Sequence, residues 1–168
     1  TKRNHNSNWF QIANYWWFFI PQNNSLNVIE KYAFHKTSIR DFSLPSQITQ
    51  ISKDIFSKCS HLCSIGIPSN SNLQKICENA FNSTSIEFIS IPSKVTYIGY
   101  GAFESCKNLR SVRFQKNSEL KIMEFNCFNC TSIEKILIPS QITRLYFGTF
   151  NGNEKLKFVV FQEDSLLQ

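Results

Sequence analysis

The sequence predicts a strand-dominated α/β solenoid: a right-handed coil with one parallel β-sheet along one side and short helical turns along the other. Three observations carry this expectation. Seven heptads of a single pattern recur with their last residues 24, 23, 24, 23, 24 and 23 positions apart. The segments between heptads repeat their apolar positions column by column. The pentapeptide "PSQIT" stands at 45–49 and again at 139–143, a separation of 94 residues, which is twice a 47-residue pair of units.

The heptads supply the strands. They read "YWWFFIP" (15–21), "IRDFSLP" (39–45), "LCSIGIP" (62–68), "IEFISIP" (86–92), "LRSVRFQ" (109–115), "IEKILIP" (133–139) and "LKFVVFQ" (156–162). Apolar residues at the fourth and sixth positions of an extended segment share one face. One unit cannot bury that face, but neighbours stacked about 4.8 Å apart build a parallel sheet over a common core. Proline lacks a backbone donor and ends the strand at Pro45, Pro68, Pro92 and Pro139. Asn and Ser follow in "NNS", "SNSN" and "KNS", where local side-chain hydrogen bonds favour turns.

Between the heptads, the 24-residue units align Leu26, Ile29, Ala33 and Phe34 with Leu73, Ile76, Ala80 and Phe81 and with Leu120, Met123, Cys127 and Phe128. The 23-residue units align Ile48, Ile51, Ile55 and Phe56 with Val95, Ile98, Ala102 and Phe103 and with Ile142, Leu145, Thr149 and Phe150. The stretches around "KYAF", "KDIF", "ENAF", "GAF" and "GTF" read as single helical turns, each anchored inward by its phenylalanine. They are too short to be independent helices. Right-handed crossovers then return the chain to the next strand.

With these columns in place, units such as "IPSKVTYIGYGAFESCKNLRSVRF" (91–114) resemble leucine-rich repeats of the BspA-like type, whose pattern runs I-P-x-x-V-x-x-I-G-x-x-A-F-x-x-C-x-x-L-x-x-V. The resemblance covers about 23–168, with one further strand at 15–21. Gly99 is the only glycine at its column, and the cysteine column reads Thr37, Cys59, Thr84, Cys106, Thr131 and Asn153. The expected organisation is a leucine-rich-repeat array over 15–168, with six units of 23 or 24 residues and a partial unit at each end. Residues 1–14 form an N-terminal tail or a degenerate repeat. "QEDSLLQ" (162–168) reopens a 24-residue unit, with Leu167 in the column of Leu26, Leu73 and Leu120, so the chain reads as an excerpt of a longer array.

Composition limits the function classes. An apolar share of 42%, sixteen Phe and only five Gly describe a chain that buries a core. The net charge of +6 is spread without a run of five basic residues, which suits a solvated surface better than a nucleic-acid site. The longest apolar run, 16–20, falls far below the roughly 20 residues of a membrane helix. Lys2 and Arg3 imitate a signal-peptide start, but Asn14 interrupts the apolar part and no cleavage site follows.

Catalytic and metal chemistry find no foothold. Cys59 and Cys106 share an inward column and Cys127 takes the place of Ala33 and Ala80, so these thiols are expected to pack as small hydrophobes. Cys127 and Cys130 make one C-x-x-C without the second ligand pair of a structural zinc site, while Cys63 and Cys77 stand apart. His5, His35 and His61 align with no nucleophile or carboxylate. No enzyme, metal or cofactor is expected. Three sequons occur at Asn23, Asn82 and Asn129, the latter two at one turn position where solvent exposure is expected.

What remains is the outward sheet face, the third and fifth heptad positions. Core packing does not call for apolar residues there, yet Trp17, Phe19, Phe88, Leu137, Phe158 and Val160 occupy it beside Arg113 and Lys135. Aromatics with a cation are a recurrent interface composition. Strand propensity alone also enriches such residues on either face, and the N-terminal tail could cover Trp17 and Phe19. The resemblance implies a cell-surface or secreted module that binds a host, matrix or cell-surface protein. The alternative is a structural spacer or intracellular scaffold without a dedicated ligand. Asp41, Ser64 and Ser111 interrupt any basic stripe that nucleic acid would need.

Overall fold

A computed structural model describes residues 25–163, 165 and 166, and within them the chain winds as a stack of coils. The heptads form strands β1 (Asp41–Ser43), β3 (Ser64–Gly66), β5 (Phe88–Ile91), β7 (Ser111–Phe114), β9 (Lys135–Ile138) and β10 (Phe158–Phe161). Their pairing is parallel and in register, with Phe42 against Ile65, Ile89 against Val112 and Ile136 against Val159. Of the inward residues, Phe42, Leu44, Ile89, Ile91, Ile136 and Ile138 are buried, and Ile65, Ile67 and Phe114 are partly buried against the same core. Pro45, Pro68, Pro92 and Pro139 also cap the turn, each carbonyl accepting the N–H three residues on, as Pro45 does from Ile48 and Pro92 from Val95.

The heptad sheet is not the single ladder that the repeat suggests. It divides into three two-stranded sheets, β1–β3, β5–β7 and β9–β10. The paired strands are offset by 23 residues (Asp41 to Ser64, Phe88 to Ser111, Lys135 to Phe158), and the ladder breaks wherever the offset is 24. β7 and β9 lie side by side across such a break. In the last strand, β10, Val159 and Phe161 are exposed, because among the described residues no coil covers them.

The opposite side differs more. Short helical turns were expected there, and none forms among the described residues. In their place runs a second parallel ladder of two-residue strands, β2 (Gln50–Ile51), β4 (Lys75–Ile76), β6 (Tyr97–Ile98) and β8 (Ile122–Met123), with Ile51, Ile76, Ile98 and Met123 in one buried column. After it come the phenylalanine turns. The residues two before and two after each anchor have left-handed backbone: Tyr32 (62°) and Lys36 (59°) around Phe34, and Asp54 (53°) and Lys58 (62°) around Phe56. The same holds for Asn79 and Ser83, Gly101 and Ser105, Asn126 and Cys130, and Gly148 and Gly152. A left-handed residue interrupts a right-handed helix and costs about 1–2 kcal/mol when it is not glycine.

Hydrogen bonds between coils offset that cost. N–H groups alternate in direction along each turn. Those of Ala33, His35 and Thr37 close bonds to the carbonyl three residues back, while those of Tyr32, Phe34 and Lys36 donate to Lys53, Ile55 and Ser57 of the next coil at 3.3, 3.0 and 3.0 Å. The following turns repeat the scheme, as Phe56 to Ala80 (3.0 Å), Phe81 to Ala102 (2.8 Å) and Phe103 to Cys127 (2.9 Å). A helix would spend these donors within its own turn. Here they stitch coil to coil.

The anchor side chains form one interior column. Phe34, Phe56, Phe81, Phe103, Phe128 and Phe150 stack successively, with centroids 5.5, 5.4, 5.2, 5.1 and 6.0 Å apart and planes within 13° of parallel. This is offset stacking at van der Waals contact. Beside it, Gly99 lies so close to the preceding coil that a Cβ would sit 2.7 Å from the Glu78 nitrogen and 2.9 Å from the Cys77 carbonyl carbon.

Two substitutions test this packing in chemical denaturation. Phe103→Ala removes a ring from mid-stack and is expected to cost about 3–5 kcal/mol. Gly99→Ala drives a methyl into a neighbouring backbone, with an expected loss of about 1–3 kcal/mol. A Phe103→Ala protein of unchanged midpoint would show that the rings do not carry the core.

Candidate interaction surface

Residues pointing away from the core on the heptad side make the candidate surface. Among the described residues its third column reads Asp41, Ser64, Phe88, Ser111, Lys135 and Phe158, and its fifth reads Ser43, Gly66, Ser90, Arg113, Leu137 and Val160. Trp17 and Phe19 lie outside the described residues. The six remaining candidates are all exposed: Phe88, Arg113, Lys135, Leu137, Phe158 and Val160. Register places Lys135 directly beside Phe158 and Leu137 beside Val160, while Phe88 adjoins Ser111 and Ser90 adjoins Arg113. The surface is thus graded, with small and acidic residues over β1 and β3, and large apolar and basic ones interspersed with Ser90 and Ser111 from β5 to β10.

The cysteines sit in the core and the turns. Cys59, Cys106 and Cys127 are fully buried, Cys63 is exposed, and none is in a disulfide among the described residues. Cys59 donates to the Phe34 carbonyl at 2.8 Å and Cys106 to the Phe81 carbonyl at 3.0 Å, each meeting a threonine hydroxyl of the preceding coil, Thr37 or Thr84. Asn153 repeats the arrangement, donating to the Phe128 carbonyl and accepting from the Thr131 hydroxyl. No cluster of three metal-ligating side chains occurs among the described residues.

Two sequons depart from the expected exposure. Asn82 and Asn129 are half-buried and both donate to the Glu104 carboxylate, at 3.3 and 2.9 Å, from the coils on either side of it. Their threonines, Thr84 and Thr131, are buried in the column just described. The Asn-x-Thr spelling arises because an asparagine follows the anchor phenylalanine and a threonine stands two further on. Asn23 lies outside the described residues.

With this geometry in view, the known proteins similar to the chain can be placed. The family described as "BspA type Leucine rich repeat region (6 copies)" matches residues 17–110 and again 74–166. The chain belongs to that family. Of solved structures, the pneumococcal vaccine antigen PcpA is similar at a TM-score of 0.70 and 26% identity over 77% of this chain and 32% of its own. A T. pallidum leucine-rich repeat protein, TpLRR, is similar at 0.71 and 26% over 79% of this chain and 61% of its own. The chain thus spans less than two thirds of either relative. No curated protein matches the sequence. Among the described residues no helix is long and apolar enough to cross a membrane.

Sequence reasoning passed over a second exposed set. Three residues before each anchor phenylalanine stand Lys31, Lys53, Glu78, Tyr100, Phe125 and Phe147. The first three are charged, with Lys53 paired to Glu78 at 2.8 Å, and the last three are exposed aromatics. Reading the column downward, position by position, would have found them.

Burial also makes the core thiols reporters of pH. Desolvation pushes Cys106 up from 9.0 to about 11, and raises Cys127 and Cys59 as well. The folded state favours the neutral thiol, so this contribution is complete below pH 9.0 and fades as pH climbs toward 11. Urea stability is expected to fall over that window, by about 2–3 kcal/mol from Cys106 alone. Cys106→Ala should flatten the decline, and an unaltered slope would show that the thiol ionises as freely folded as unfolded.

Proposed function

We propose that this chain is a protein-interaction module of a cell-surface protein, and that the outward sheet face from β5 to β10 is where it meets its partner. Exposed Phe88, Leu137, Phe158 and Val160 beside Arg113 and Lys135 support the reading, since the core makes no use of them. The composition, large apolar groups with cations between them, is one that recurs in protein-binding patches. Similarity to PcpA, a vaccine antigen, supports a surface setting.

The test is a pull-down from extracellular-matrix and host-cell surface proteins with the chain as bait. A second bait carries Phe88→Ala, Arg113→Ala, Lys135→Ala and Phe158→Ala. Each substitution is at an exposed position and should leave stability within about 0.5 kcal/mol, which circular dichroism and melting check. The expected outcome is a protein retained by the native bait and lost by the stripped one. Equal retention by both would move the contact off this face, and capture by neither would favour the spacer.

A further inference from the structure

One peptide bond in the phenylalanine turns differs chemically from its counterparts. The residue after each anchor is His35, Ser57, Asn82, Glu104, Asn129 or Asn151, and the next is Lys36, Lys58, Ser83, Ser105, Cys130 or Gly152. Asn151–Gly152 is the only Asn-Gly pair in the sequence. The fold calls for glycine at this point. Its backbone is left-handed, with φ at 67°, and a Cβ would sit 2.7 Å from the Cys130 sulfur.

Hydrogen bonding separates the three asparagines of this column. The N–H that follows Asn82, on Ser83, donates to the Glu104 carbonyl at 2.9 Å. The N–H that follows Asn129, on Cys130, donates to the Asn151 carbonyl at 2.8 Å. Both side-chain amides are also held, by the Glu104 carboxylate. Among the described residues, the Gly152 N–H and the Asn151 side chain have no partner, and both residues are exposed. The peptide between them is thus bonded only at its carbonyl.

We infer that Asn151 is a site of spontaneous covalent modification, deamidation through a cyclic imide, with water as the co-reactant. The Gly152 nitrogen attacks Cγ of Asn151 and forms the N–Cγ bond. The Cγ–Nδ2 bond breaks, and the side-chain nitrogen leaves as ammonia with the proton that Gly152 gives up. Water then opens the imide and returns a proton to the Gly152 nitrogen. Opening at Cγ gives aspartate; opening at the main-chain carbonyl gives isoaspartate, whose backbone runs through Cβ and Cγ. Nothing is oxidised or reduced. Three features favour the attack at this turn. The nitrogen has no hydrogen bond to break, and no side chain on residue 152 stands in its path. The Cys130 N–H on the adjoining carbonyl stabilises the negative charge that develops as the amide loses its proton. At Ser83 and Cys130 the same attack must first break a bond to the neighbouring coil. Either product adds a negative charge to an exposed turn.

The test incubates the intact chain in mildly alkaline buffer and maps its proteolytic peptides by mass spectrometry, with aspartate and isoaspartate resolved by chromatography. Conversion at Asn151 is expected to run at least about tenfold faster than at Asn82 or Asn129, equivalent to about 1.4 kcal/mol of barrier. An acidic form should accumulate on ion exchange, and Asn151→Gln, whose longer side chain closes the ring poorly, should prevent it without changing the melting curve. A parallel incubation in urea removes the bonds of the turns but keeps the sequence, so the gap between the asparagines should narrow. An Asn151 that stays intact in the folded chain would overturn the inference, as would an acidic form that persists in Asn151→Gln. So would a gap of equal size in urea, because the glycine alone would then account for it.

Discussion

Every coil takes the cover for its phenylalanine from its neighbours, and that dependence sets the rest of the structure. A ring lying parallel to the next at 5.1–5.5 Å, as along Phe34 to Phe128, fixes the distance between coils and their rotation about the axis. Once the rings are in register, the residues flanking them are too, and the Phe-turn donors meet the carbonyls of the following coil with no room for slippage. Stacked rings and stitched backbone are two results of one periodicity. Stability in such an array resides in the interfaces between units more than in the units.

Because the core is settled by a few columns, the others are free to vary, and they face solvent on two sides. Over the sheet the variation runs from Asp41 and Ser64 to Lys135 and Phe158; over the turns it runs from Lys31 and Lys53 to Phe125 and Phe147. Among the described residues of these two sets of positions, the large apolar side chains fall in the later coils. Neither gradient affects the interior, where Ile51, Ile76, Ile98 and Met123 keep the second ladder buried throughout. A rigid scaffold with independently variable faces can present a patch to one partner without disturbing a patch for another.

The interior was legible in the sequence because burial leaves a periodic mark. Heptad spacing located the six described heptad strands, and the recurrent Phe located the ring column. The turns were misread for a physical reason. An apolar pair such as Ala33–Phe34 with lysines nearby fits one turn of helix, and only backbone handedness distinguishes the two. Tyr32, Lys36 and Lys58 adopt the left-handed region although their side chains do not favour it; bonds to the next coil impose it, and a single unit contains no trace of that coil. Gly101, Gly148 and Gly152 were the visible hint, standing where the others strain. Trouble of the same origin affected the sequons, whose exposure depended on Glu104 reaching them from the coil between.

The departure of Asn153 from the cysteine column shows what that column is for. Coils alternate in the length of chain between anchor and strand: five residues from Phe81 to Ile86, six from Phe56 to Leu62 and from Phe103 to Leu109. Threonine stands in the shorter connections, at Thr37, Thr84 and Thr131, and the longer ones hold Cys59, Cys106 and Asn153. In the longer connections the side chain turns back and donates to the phenylalanine carbonyl of the coil before, by thiol at 2.8 and 3.0 Å and by amide at 2.7 Å. An amide N–H is a stronger donor than a thiol, so asparagine meets the same requirement with different chemistry. What the position demands is a short side chain with one proton to give, directed at a buried carbonyl. That demand explains both the cysteines and the exception without any reactive role for sulfur, and it ties the 47-residue pair to an interior bond that joins every long connection to the short one preceding it.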